Sequence, residues 1–205
     1  MKLNPSSSRR QAFTLIEIIG VLAIIALLAS LLVPRVFSAI NDARINNTVL
    51  GCNAVKTAAM GYFGKYGKFA GVAGAATNAA SSTNWDAVVL VAEGLLEKPF
   101  ESKLGAGSQV TVSPIETGAV AADNSGYDLD GDASSVNDTK TGSTIVEIAI
   151  TDVAVEDARE ISRQIDGDSA QLTQAKGSSS NDVDGRVKYA VTGGLAAVRI
   201  YIGHK

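Results

Sequence analysis

The chain has 205 residues and a formal net charge of −3, is 46 % hydrophobic but only 5 % aromatic, and holds 20 glycines. That length leaves room for one ordinary globular domain plus one long extra element, which argues against a two-domain enzyme; the apolar content comes from Ala, Val, Ile and Leu, which favours a membrane segment joined to a small-residue domain. One cysteine, Cys52, and one histidine, His204, leave neither an intrachain disulfide nor a cysteine zinc site, and no basic stripe marks a nucleic-acid groove.

The first twelve residues carry Lys2, Arg9 and Arg10 and no acid, so the excess negative charge lies in the remainder. From Leu15 to Val33 the chain reads LIEIIGVLAIIALLASLLV, with Glu17 as its one charge. A run of this length spans a bilayer as a helix, and the basic flank keeps the N-terminal side cytoplasmic with the acidic remainder outside. A secretory signal peptide has a shorter apolar run ending at a small-residue cut, whereas here the run continues through Pro34 into an amphipathic pattern. Any cleavage therefore falls before the apolar run.

The segment Arg9-Arg10-Gln11-Ala12-Phe13-Thr14-Leu15-Ile16-Glu17, followed by the apolar helix and Pro34, resembles the cleavage and methylation motif of the type IV pilin and type II secretion pseudopilin superfamily. The resemblance implies that a prepilin peptidase cuts between Ala12 and Phe13, and that the new Phe13 amine is N-methylated. It further implies that Glu17 faces the Phe13 amine of a neighbouring subunit, and that Pro34 occupies a position where the family commonly has proline. Two departures stand out: Ala12 replaces the usual glycine before the cut, and Ala26 stands where a mid-helix glycine is frequent. The residues support Glu17 independently, because a lone carboxylate inside an apolar helix costs about 3 kcal/mol at mid-membrane and less near the interface, and so calls for a partner.

Beyond Pro34, Ile45, Val49, Cys52, Val55, Ala59 and Tyr62 recur at spacings of three and four, which predicts one buried helical face. Lys56 lies at the edge of that stripe and reaches out by its aliphatic stem. A helix from about Thr14 to Phe63 would be ~75 Å long, more than one small domain can cover. The expected organisation is a leader at 1–12, a long helix at 13–63 whose 13–37 portion is transmembrane or filament core, and a head domain at 64–205. The stretch 70–82 reads as a loop, and Asn84 as the cap of a short helix through Glu93. Strands are expected at Gln109–Ser113 and Thr144–Thr151, a helix at Val155–Ile165, and a hairpin of Arg186–Thr192 and Leu195–Ile202 joined by Gly193-Gly194. The fold class is therefore α+β: a long N-terminal helix packed on a small, mainly antiparallel sheet, as in pilins.

Asp128, Asp130 and Asp132, with Asn137 and Asp138 just after, place hard oxygen ligands at alternate loop positions as a calcium site requires. Glycine comes fourth rather than sixth and Thr139 stands where an EF-hand has its glutamate, so the loop is not an EF-hand; a solvated turn is the competing reading. Asp166-Gly167-Asp168 and Asp182-Val183-Asp184-Gly185 read as turns. His204 reads as a tail residue, and neither GxSxG nor HExxH occurs, so nothing supports an enzyme.

Two functions remain open at this point. The first is a structural subunit of a type IV filament, either a type II secretion pseudopilus, as a major-pseudopilin-like subunit, or a type IV pilus. Its implied partners are further copies of itself, the prepilin peptidase and methyltransferase, an inner-membrane assembly platform and other minor pilins or pseudopilins. Its route runs from the inner membrane to a periplasmic or extracellular filament. The second is a membrane-tethered or filament-tip binding module that displays a ligand-binding head.

Overall fold

The computed structural model describes residues 14–70, 82–115, 120–130, 138–139, 143–167 and 180–205. It divides into two compact units, 1–42 and 43–205. In the first, the described residues form the opening part of helix α1 (Leu15–Tyr66), and none of their side chains is buried. The helix passes through Pro34, whose ring removes one backbone donor. Around it, Ser30 and Ser38 turn their hydroxyls back onto the helix, donating to the carbonyls of Leu27 and Pro34.

In the second unit, α1 buries the predicted face: Ile45, Cys52, Val55, Ala59 and Tyr62, with Val49 half-buried, and Thr48 and Ala58 added. The helix ends three residues later than the sequence predicts, where the Gly67 N–H closes on the Phe63 carbonyl at 2.7 Å. Glu93 then ties its last turn down, accepting from Lys65 Nζ and the Tyr66 hydroxyl, both at 2.7 Å.

The short helix expected from Asn84 to Glu93 is instead a single π turn, Asp86–Leu90, followed by turns up to Gly94. Asn84 is at φ 54° and contributes its main-chain carbonyl, not its side chain, to Ala87 and Val88. The wide turn lets Trp85 enter the core, where its indole N–H donates to the Ala70 carbonyl at 2.6 Å. Buried Asp86 accepts the Phe100 N–H, also at 2.6 Å.

Four strands, β1 (Gly107–Pro114), β2 (Thr144–Ala154), β3 (Val187–Thr192) and β4 (Leu195–His204), form one antiparallel sheet in the order β1-β2-β4-β3. Each strand includes its predicted segment except β3, which begins one residue later. Type I′-like geometry at Gly193 and Gly194, φ 61° and 83°, closes the β3–β4 hairpin at little steric cost. Helix α2 (Val155–Asp166) connects β2 to β3. Its expected face holds, with Ala158 and Ile161 buried and Val155 and Ile165 half-buried.

The register aligns Val110 with Ile148 and Ile200, and Val112 with Val146, on one sheet face. These residues share a hydrophobic core with the second half of α1, Trp85 and α2. The alternate residues Gln109, Thr111, Glu147, Ala149, Arg199 and Lys188 occupy the opposite, outer face.

Candidate functional site

Helix α1 begins with a reciprocal pair. Thr14 donates its backbone N–H and its hydroxyl to Glu17 Oε2, both at 2.7 Å, and Glu17 returns its N–H to the Thr14 hydroxyl at 3.3 Å. This is a capping box, in which a Thr-x-x-Glu sequence satisfies orphan donors of the first turn while its carboxylate sits at the positive end of the helix dipole. Glu17, named from the sequence as a charge in need of a partner, thus has one within its own chain. Ala12 and Phe13 lie outside the described residues.

The helix that follows has an 18-residue window of mean hydropathy 2.8 with none of it buried, so it is long and apolar enough to cross a membrane. From Leu15 to Ile40, side chains such as Leu27, Leu31 and Phe37 are exposed by 63–69 %. Water is a poor surrounding for so continuous an apolar surface, which calls for lipid or other apolar helices around it.

In the acidic loop, the structure brings Asp128, Asp130 and Asp138 together, each with a ligand oxygen within 4.8 Å of the others. Asp138, which the sequence places just after the alternating aspartates, joins Asp128 and Asp130, and Asp132 lies outside the described residues. Asp138 also staples the loop, since its Oδ2 accepts the N–H groups of Leu129 at 2.7 Å and Asp130 at 3.2 Å. Asp128 is buried, and its carbonyl accepts the Gly185 N–H.

The other acidic turns do structural work as well. Asp166 accepts the N–H groups of Arg186 and Val187 and pairs with the Arg186 guanidinium at 3.1 Å, fastening the end of α2 to the start of β3. A Cβ on Gly185, at φ 81°, would stand 2.8 Å from the Asp166 carboxylate. Asp182 forms an isolated bridge with Tyr189, and Asp168 lies outside the described residues. His204 is not a tail residue: it closes β4, with its Nδ1 at 2.7 Å from the Tyr201 hydroxyl. Cys52 is a core residue, 3 % exposed, and burial pushes its thiol up to about 12.

Sequence reasoning missed two buried charges on the outer sheet face. Lys188 is fully buried, and its ammonium donates to the carbonyls of Ala121 at 2.9 Å, Gly126 at 2.6 Å and Asn124, and lies 4.2 Å from the Tyr127 ring centroid. Glu147 pairs with Arg199 at 2.5 Å and accepts the Tyr127 hydroxyl at 3.0 Å. Their partners are too distant in sequence for any local pattern to signal them, although a lysine and a glutamate inside predicted strands invited the question.

The prokaryotic N-terminal methylation motif matches residues 7–33 of this chain, which therefore carries the type IV pilin and pseudopilin signature. That signature, with the helix behind it and the α+β head, defines the class: a membrane-associated, pilin-like or pseudopilin-like structural subunit of the kind that prepilin peptidase processes. No curated protein and no solved structure matches the chain.

Proposed function

We propose that this chain is a building subunit of a type IV filament, either the pseudopilus of a type II secretion system or a type IV pilus. The observation that carries the reading is the methylation motif at 7–33 running directly into a helix whose apolar side chains are bare as far as Ile40. In this reading residues 1–12 are removed at Ala12–Phe13, Phe13 is methylated, and the inner-membrane pool is drawn into a filament whose core is made of residues 13–37. Glu17 then exchanges its intrachain bond with Thr14 for the cationic amine of a neighbour's Phe13. A dry helical core makes that exchange selective, because either charge left alone there would be heavily penalised. Pro34 lets the helix bend without ending it, and the head at 64–205 coats the surface. The work of the chain is structural rather than catalytic, and its partners are further copies of itself, the peptidase and methyltransferase, the assembly platform, and minor pilins or pseudopilins. Intact mass and N-terminal residue, measured on protein from native membranes and from sheared surface filaments, test this. Methylated Phe13 in the filament fraction supports it; a chain cut after the apolar run overturns it.

The second reading, a tethered or filament-tip module displaying a binding head, is favoured by the polar outer face of the sheet. Glu17 separates a plain tether from a filament subunit, since a tether tolerates its loss and a filament core does not; a filament-tip module is the intermediate case.

Calcium belongs to this proposal as a stabiliser of the acidic loop, held by Asp128, Asp130 and Asp138. Three carboxylates from two chain segments repel one another, and a divalent cation offsets that repulsion with oxygen ligands suited to it.

A further inference from the structure

The outer face of the sheet carries a cleft of about 240 Å3. Its floor comes from three adjacent strands. Gln109, Ala149 and Arg199 lie side by side in register, and Thr111 and Glu147 form the next row. The one small side chain in this floor, Ala149, stands between two long ones, so a notch opens where its neighbours project. Ser82 and Thr83 border one side, and Asp123 and Ser125 border another.

Three features make this a preformed site rather than a wrinkle between loops. Arg199 is 32 % exposed and its Nη1 is fixed on Glu147, whose own side chain is 3 % exposed. Among the described residues Glu147 is the one partner of that guanidinium, so its other N–H groups remain available at the cleft. The Asp123–Ser125 border belongs to the same loop that Lys188 grips from beneath through Ala121, Asn124 and Gly126. A floor and a border held by buried charges lower the ordering cost of binding.

The lining chemistry selects the ligand. Arg199 only donates, Asp123 only accepts, and the Thr and Ser hydroxyls and the Gln109 amide do both. An anion gains little, because Glu147 already offsets Arg199 and Asp123 adds a second carboxylate. A cation meets the guanidinium, and Ala149 is the one apolar side chain that the outer face offers among the lining residues, because Val112 turns its side chain into the core. The volume is below the range usual for drug-sized ligands. We propose that the cleft binds a neutral, polyhydroxylated group the size of one sugar ring, such as a terminal residue of a surface glycan. The face that carries it is opposite the one packed on the second half of α1, and the inference does not depend on whether the chain enters a filament.

The test is a titration of isotope-labelled full-length protein in micelles of a phosphocholine detergent, which brings no sugar of its own. The probes are methyl glycosides of glucose, galactose, mannose and N-acetylglucosamine, with acetate as the anionic control. Saturable shifts of the Arg199 Nε–H and Thr111 amide signals with at least one glycoside are expected. They should vanish in Ala149→Leu, which fills the notch, and weaken by about 2- to 10-fold in Gln109→Ala, which removes one side chain's hydrogen bonds. Gln109→Ala alters one half-exposed side chain and so keeps the test valid where the leucine variant misfolds. Absence of a saturable shift with all four glycosides, acetate acting on the same signals in their place, or binding unchanged in Gln109→Ala would overturn the proposal.

Discussion

Thr14 and Glu17 hold each other at the start of α1, with the threonine N–H and hydroxyl both 2.7 Å from one glutamate oxygen. The pair gives the one carboxylate of the apolar run a partner within its own chain, so the two residues should fail differently. Thr14→Ala removes the cap and is expected to cost the first turn about 1 kcal/mol, read as faster amide exchange at Ile18 and Ile19 in micelles. Glu17→Gln is expected to leave cleavage intact and to abolish filaments, with processed protein accumulating in the membrane fraction. Normal filament yield from Glu17→Gln would refute the pairing with Phe13.

Lys188→Met should be among the most damaging single changes in the head. It keeps the length of the stem but takes the buried ammonium away from the carbonyls of Ala121, Asn124 and Gly126, for an expected loss of about 3 kcal/mol. Denaturant unfolding of wild type and variant, compared at fixed detergent, measures it. A loss below ~1 kcal/mol would mean that the loop is held chiefly by other contacts.

Burial raises the Asp166 carboxyl above its ordinary 3.8, outweighing the N–H groups of Arg186 and Val187 and the guanidinium that pull it down. The folded chain therefore binds a proton that the unfolded chain has already released. The stability this group contributes is fully present below pH 3.8 and is lost as pH rises through the raised folded value. Unfolding free energy of wild type, followed upward from about pH 3, should show this falling component. In Asp166→Asn the component should be absent, while the Arg186 pairing is lost at every pH.

Cys52 should be inert towards a maleimide at pH 8 in the folded protein and react fully once unfolded, because burial leaves almost no thiolate. Rapid labelling without denaturant would show that the second half of α1 leaves the core.

Calcium should raise the thermal midpoint of the head, and a chelator should lower it. Asp138→Asn should remove that response while retaining an oxygen for the Leu129 and Asp130 amides. A midpoint indifferent to calcium in wild type would leave the three aspartates as a protein-only loop staple.

Residues whose meaning is periodic were legible in the sequence. Cys52, Val55 and Tyr62 announced the buried stripe of α1, Ala158 and Ile161 that of α2, and Gly193-Gly194 the hairpin, because each signal lies within a few residues of its cause. The N-terminal motif was legible for the same reason. What escaped was set by distant contacts. Asn84 looks like a cap until Trp85 must reach the Ala70 carbonyl, and the chain then takes a π turn. Lys188 and Arg199 look like solvated strand residues until loops 62 to 67 residues earlier, and a glutamate 52 residues earlier, close over them.

The only tryptophan of the chain, Trp85, is sealed against Tyr62 of α1 and Phe69, with ring centroids 5.4 and 6.1 Å away. The molecule therefore carries a built-in optical gauge of its own helix seating. Emission stays at short wavelength while the second half of α1 remains docked and moves to longer wavelength when water reaches the indole. Comparing the colour of that light between membrane-resident and polymerised protein would reveal, without any label, whether a subunit leaves the bilayer with its head intact or partly opened.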